Sequence, residues 1–245
     1  MSKKVAIATP FYSQLSAGSG HDTSMAATMF YIGRYTDWDV DFWPWPGDSY
    51  VWRARNGLAK KLMESTYDEM VFIDSDEEWM VEGFIKLLSR DVPIVGAGYP
   101  AKNQWDNYGC RLYVDENARP QVTEDGLIRA ESIPGGFMKI QKTAFMEIQA
   151  ARPDDYYIEI EHGKEARYQN FFGHIFEDHR ATGEDYSFCA RARFAGLPVY
   201  VEPDIWIRHY GVVSHEGNYH EYLMRQPGGS NAAPSLPWLP SEWCL

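Results

Sequence analysis

The stretch Met70-Val71-Phe72-Ile73-Asp74-Ser75-Asp76-Glu77-Glu78-Trp79 sets the fold expected of this 245-residue chain. Four apolar residues, Met70 to Ile73, have the composition of a buried strand and stop at two carboxylates one residue apart. Side chains alternate along an extended backbone, so Asp74 and Asp76 project to one side if the strand runs on, and can converge if the chain turns. In an open α/β sheet, the C-terminal end of a strand is where ligands bind. Two hard oxygen donors there suit Mg²⁺ or Mn²⁺, and such a cation in turn suits a diphosphate. The same residues fit an acidic strand-to-helix junction equally well, with Ser75 or Asp76 capping a helix that begins near Glu77.

Composition bounds the alternatives. The length suits one large α/β domain, and two smaller ones stay open. A net charge of −12 and a pI near 5.0 argue against a broad, non-specific grip on phosphate backbones. Aromatic residues make up 15 % of the chain, with nine Trp and sixteen Tyr, more than core filling requires. Some are expected to line a site that stacks on flat rings or sugar faces. Cys110, Cys189 and Cys244 are odd in number and widely spaced, which gives neither a disulfide framework nor metal-ligand spacing. No apolar run reaches the length of a membrane span, and the start turns polar too soon for a signal peptide, so a soluble, cytoplasmic protein is expected.

Working outward, Val5 to Thr9 reads as a first buried strand ended by Pro10, followed by a polar loop over 13–24 and a helix around 25–33. Neither G-x-G-x-x-G nor G-K-[ST] follows that strand, which weakens a dinucleotide or ATP reading. A second strand is expected over 38–45 and a helix over 50–65 that carries Arg53-Ala54-Arg55-Asn56. Guanidinium forks near a helix start can meet phosphates or a base edge, although a solvated helix arginine explains either one alone. A helix over 81–88 and a strand over 92–99 lead to Gly98-Tyr99-Pro100-Ala101-Lys102. Residues 101–130 read as a small β excursion or loop.

Gly135-Gly136 before Phe137-Met138 suggests backbone shaped to face a ligand, with a tight turn as the plain alternative. A helix is expected over 142–151. The segment 152–182 reads as a long irregular lid or acceptor surface, and the spacing of His162, His174 and His179 matches no zinc pattern. Gly183-Glu184-Asp185 opens a helix that runs to about Phe194 and stops at Gly196, and acidic residues there also suit the helix dipole. Strands over 197–201 and 205–211 follow, with His209 at the end of the second.

Taken in order, D-S-D after a strand, G-G-F-M, G-E-D opening a helix and a late strand-end His resemble GT-A glycosyltransferases. They are similar to the family 2-type enzymes of bacteria and bacteriophages, and the G-E-D and late His also to β-1,4-galactosyltransferases. The resemblance covers roughly residues 3–215. It implies an α/β fold: a single Rossmann-like domain with a mixed, mainly parallel central sheet flanked by helices. A nucleotide-sugar half would span about 1–100, an acceptor half about 101–215, and an extended tail 216–245.

The resemblance also implies an enzyme that moves a sugar from a nucleotide-diphospho-sugar, UDP-sugar first, to an acceptor hydroxyl with Mn²⁺ or Mg²⁺ bound. Asp76 would hold the metal, with Asp74 on the ribose or a metal-bound water, and His209 would complete the shell. Thr9, Pro10, Arg53, Arg55, Asn56 and Ser75 would line the nucleotide sugar, and Gly135 and Gly136 would leave room for donor and acceptor. The acceptor hydroxyl needs a carboxylate to take its proton. Asp185 is assigned that role, with inversion as the expected outcome and Glu184 orienting a sugar. Glu77 and Glu78 leave a different metal pair open. The acceptor is a glycan, a protein side chain or a hydroxymethylated base in phage DNA. The last would need Lys102, Arg111, Arg152, Lys164, Arg167 and Arg180 to share a face. Other classes that paired Asp residues admit are a nucleotidyltransferase, a diphosphate hydrolase and a non-catalytic sugar-binding protein.

Overall fold

A computed structural model of the chain describes residues 3–11, 19–102, 107–177, 179–211 and 215–225. In chain order these form β1 (Lys4–Phe11), α1 (Ser19–Tyr35), β2 (Asp39–Pro46), α2 (Val51–Glu64), β3 (Glu69–Ile73), β4 (Glu77–Trp79), α3 (Val81–Ser89), β5 (Ile94–Ala97), β6 (Arg111–Leu112), β7 (Ile128–Ser132), β8 (Phe137–Gln141), α4 (Lys142–Ala151), β9 (Tyr156–Glu161), β10 (Lys164–Gln169), β11 (Ile175–Glu177), β12 (Arg180–Thr182), α5 (Glu184–Phe194), β13 (Val199–Glu202), β14 (Trp206–His209), β15 (His215–Asn218) and α6 (Tyr219–Arg225).

Eight strands make the central sheet in the order β2-β1-β3-β8-β5-β13-β7-β6. β2, β1, β3, β5, β13 and β6 run one way and β8 and β7 the other, so the sheet is mixed and mainly parallel in direction. Alternation then builds a core on each face. Ala6, Ala8, Met70 and Phe72 join the cluster with Leu58 and Leu62 of α2, Phe145 of α4 and Phe188 of α5. Val5, Ile7, Val71 and Ile73 join the opposite cluster with Met25 and Ile32 of α1 and Phe84 and Leu87 of α3. Continuous burial along β3 is what a strand covered on both faces requires.

A small sheet, β15-β14-β4, lies at the end of β3 and settles the reading of the acidic stretch. Glu77 opens a strand, not a helix: β4 pairs antiparallel with β14, and the next helix, α3, begins at Val81. A cap on a helix starting near Glu77 is thereby excluded. The pairing places His209 opposite Glu77, and the Tyr210 N–H donates to the Asp76 carbonyl at 2.7 Å. The strand that covers the acidic end is thus drawn from 130 residues downstream.

Several expectations change. Pro10 does not end β1, which pairs with β2 as far as Phe11 opposite Pro46. Parallel pairing on the far side stops at Ala8, so Pro10 lies on a stretch bonded to one neighbour only, where a missing N–H is tolerated. α1 starts earlier than expected, at Ser19. The 152–182 segment is regular: β9 pairs with β10 and β11 with β12 as two hairpins. Residues 216–225 are not extended tail, since they belong to β15 and α6, and Tyr219 and Tyr222 are buried in the core. The tail beyond them, with Cys244, lies outside the described residues. Among the described residues, no helix is long and apolar enough to cross a membrane.

Candidate functional site

Thr9 in the last part of β1, Asp74 directly after β3 and Tyr99 two residues after β5 lie toward the C-terminal ends of these strands, on the rim where an open α/β sheet binds ligands. Arg55 joins that rim to α5. Its guanidinium donates through Nη2 to Asp74 Oδ1 and through Nη1 to Glu184 Oε1, each at 2.8 Å. The side chain is 2 % exposed and passes over the Phe72 ring. Burial works against its charge, but Asp74 and then Glu184 hold it protonated well above its ordinary value. Arg55 therefore holds two carboxylates in place and is not free for a phosphate.

The glycine pair is shaped by the same groups. A Cβ on Gly135 would lie 2.8 Å from Arg55 Cζ. One on Gly136 would lie 2.6 Å from Tyr99 Oη and 2.9 Å from Asp74 Oδ2, and closer still to Glu77 Oε1. The Gly136 N–H donates to Tyr99 Oη at 3.0 Å, and its carbonyl accepts from the Asp74 N–H at 2.9 Å. These glycines make room for protein side chains on this side of the turn.

Asp76 and His209 form a second group. His209 Nδ1 stands 2.9 Å from the Pro100 carbonyl, which can only accept, so Nδ1 carries the hydrogen and Nε2 keeps its lone pair. Nε2 lies 3.7 Å from Asp76 Oδ1. Burial pushes the imidazole below its ordinary value against the pull of the Pro100 carbonyl, with the Lys102 ammonium adding to burial. An anionic oxygen and a neutral imidazole with its second nitrogen fixed by a carbonyl are a donor set that fits Mn²⁺ or Mg²⁺. Among the described residues, no group of three or more His, Cys, Asp or Glu side chains is placed to hold a metal ion.

Glu77 sits behind this pair, fully buried, and neither carboxyl oxygen has a partner of hydrogen-bond geometry among the described residues. Burial, then the charges of Asp74 and Asp76, push its pKa well above the usual carboxylate range. Glu78 points elsewhere: it takes Arg208 Nη1 at 3.1 Å and the Tyr210 hydroxyl.

Asp185 lies in the first turn of α5, next to Glu184. Its Oδ1 accepts the Tyr186 N–H at 2.7 Å. Burial first and the Glu184 charge second raise its pKa to about 6, while the Arg55 charge opposes them. A carboxyl that titrates near neutrality is suited to take a proton from a hydroxyl.

Two assigned residues fall outside the site. Arg53 turns to the surface, where it donates to Asp48 at 2.9 Å and lies 3.8 Å from Glu159. Asn56 is buried as a structural acceptor: its Oδ1 takes the N–H groups of Phe171 and Phe172 at 3.0 and 2.9 Å. Both follow from helix phase, since α2 turns only Arg55 of this trio toward β3. Thr9 is buried with His21 Nε2 at 3.5 Å from its hydroxyl, Pro10 is half-buried beside it, and Ser75 is buried in the turn. His21 and Tyr99 are site neighbours that sequence reasoning did not assign, and Glu77 entered it only as part of an alternative metal pair. An acidic residue directly after D-S-D was the available signal for Glu77. His21 fell in a stretch read as loop.

No protein-family model matches the chain, and no curated protein matches it in sequence. Solved structures do. The A197 protein from STIV matches at 14 % identity and a TM-score of 0.48, over 85 % of this chain and 86 % of that one. A mutant of Drosophila β1,4-galactosyltransferase 7, solved with manganese, UDP-Gal and xylobiose, matches at 14 % identity and a TM-score of 0.49, over 95 % and 77 %. GalNAc-T7 with UDP, GalNAc and Mn²⁺ matches at 12 % identity and 0.45, over 84 % and 43 %. At these identities and scores the likeness assigns no role to any residue, and each role rests on this chain's own geometry.

Proposed function

We propose that this protein is a divalent-metal-dependent glycosyltransferase that moves a sugar from a nucleotide-diphospho-sugar, UDP-sugar first, to an acceptor hydroxyl. The observation that carries the reading is the Arg55 bridge. It ties Asp74, at the end of β3 beside Asp76, to Glu184, beside Asp185, so that carboxylates about 110 residues apart face one site. A diphosphate-binding acidic turn and a near-neutral base, joined in this way, are what glycosyl transfer demands.

In the reaction, the acceptor oxygen bonds to the anomeric carbon as the bond from that carbon to the diphosphate oxygen breaks. Asp185, as the carboxylate, takes the hydroxyl proton, and Glu184 stays fixed by Arg55 against the sugar. Attack from the face opposite the leaving group inverts the anomeric centre. Asp76 and His209 would hold Mn²⁺ or Mg²⁺, which when bound stabilises the charge that grows on the leaving diphosphate.

For the acceptor, a glycan or protein hydroxyl ranks ahead of a DNA base. Arg152 is paired with Asp155, Lys102 with Asp76, Arg111 lies over Tyr186, and Arg167 lies over Tyr156. Two of the six candidate basic residues are thus ion-paired within the chain, which leaves fewer charges for a phosphate backbone on a protein of net charge −12. The test is nucleoside diphosphate release from UDP-, GDP- and dTDP-sugars, with Mn²⁺ or EDTA. Metal-dependent release from one donor, abolished in Asp76→Ala, is the expected result. Silence across the panel, with no metal-dependent binding of any nucleotide sugar, would overturn the reading.

A further inference from the structure

The Asp76 carboxylate faces two groups at once. Its Oδ1 faces His209 Nε2 at 3.7 Å, and its Oδ2 is ion-paired with the Lys102 ammonium. Lys102 follows Pro100 by two residues, and the Pro100 carbonyl is what fixes the His209 ring. One short segment therefore both orients the imidazole and delivers a positive charge to the carboxylate beside it. Asp74, Asp76, Glu77 and Glu78 crowd this turn, and Arg55 and Arg208 are spent on Asp74 and Glu78.

A divalent cation held by Asp76 and His209 would meet that ammonium at close range, where like charges repel strongly. A cation on Oδ1 and the ammonium on Oδ2 would compete for the charge of one carboxylate. Lysine is the side chain suited to yield, being a compact charge on a flexible stem, and the Lys102 side chain is 35 % exposed.

We infer that Lys102 is a built-in counter-cation of the Asp76–His209 site, holding Asp76 in the metal-free protein and giving way when a divalent cation binds. This rests on the metal reading proposed above. It makes the affinity for metal a competition within the chain, set by residue 102 without any change of ligand.

The experiment measures Mn²⁺ binding alone, without nucleotide, from the paramagnetic signal of free Mn²⁺ during titration. Wild type, Lys102→Met, Lys102→Gln and Asp76→Ala are compared, each checked by circular dichroism for a folded chain. Both Lys102 variants are expected to bind Mn²⁺ about two- to fivefold more tightly than wild type, the size of a partly exposed ion pair. Asp76→Ala is expected to lose binding. Binding by the Lys102 variants with none by wild type would support the inference further. Equal or weaker binding by both Lys102 variants would overturn it and leave the metal site standing. No binding by wild type or by either Lys102 variant would overturn the metal reading itself, and the inference with it.

Discussion

At the scale of the residue, the proposed base Asp185 should couple activity to stability. Its folded pKa, about 6, lies above the unfolded value, so the folded chain holds the proton longer. The stabilisation this gives is complete below the unfolded value near pH 4 and is lost as pH rises through about 6. Turnover should run the other way, rising with pH through about 6 as the carboxylate forms. Asp185→Asn should lower transfer by roughly 10²–10⁴-fold and raise stability at pH 7.5 by about 1–3 kcal/mol. A pH–rate profile from 5 to 8 and urea melts check both, and a profile flat across pH 6 would remove Asp185 from the base role. The neighbouring pair on α2 separates structure from function. Asn56→Ala strands two buried N–H groups and should cost about 2–4 kcal/mol in urea unfolding. Arg53→Ala, at an exposed ion pair, should stay within about 0.5 kcal/mol and leave donor hydrolysis unchanged.

At the scale of the element, the turn before β8 is set by what surrounds it. Gly136 gives its N–H to Tyr99 and its carbonyl to the Asp74 N–H, and it is hemmed in by Glu77, Tyr99 and Asp74. An added methyl must displace one of these buried side chains. Gly136→Ala is expected to cost about 1–3 kcal/mol and to reduce donor hydrolysis, read by thermal melts and diphosphate release. Wild-type values in both would mean that the turn has slack the geometry does not show. The D-S-D stretch is also set by its surroundings, but only in part. Its strand was legible because Met70 to Ile73 must be apolar to be covered on both faces. The segment after Asp76 was not legible, because Glu77 to Trp79 becomes a strand only through pairing with β14. Nothing local distinguishes that from a helix start. The 152–182 hairpins were missed for a related reason: their outward faces carry Tyr156, Ile158 and Ile160 in exposed positions, which blurs the apolar-inside pattern.

At the scale of the molecule, Arg55 ties the D-S-D turn after β3 to the G-E-D start of α5, over a sheet whose strands already interleave residues from both parts of the chain. Removing it leaves Asp74 and Glu184 facing each other uncompensated. Arg55→Met is expected to lower stability by about 3–5 kcal/mol and to abolish transfer, with unfolding still in one transition. Urea unfolding followed by fluorescence checks this, and a wild-type midpoint would show that the bridge contributes nothing to stability.

The sequence by itself determined the α/β class, six of the eight central strands (β1, β2, β3, β5, β8 and β13), the helix stop at Gly196 and which motifs carry carboxylates, because burial pattern, glycine geometry and residue chemistry are local. It named Asp74, Asp76, Asp185 and His209, yet it could not rank Arg53, Arg55 and Asn56. Only the tertiary structure turned Arg55 inward to Asp74 and Glu184, gave Asn56 to the backbone of 171–172, and set Lys102 against Asp76. The reason is physical. Which of three neighbouring polar side chains meets a carboxylate depends on helix phase and on partners more than a hundred residues away, and neither is written in the spacing of the motif.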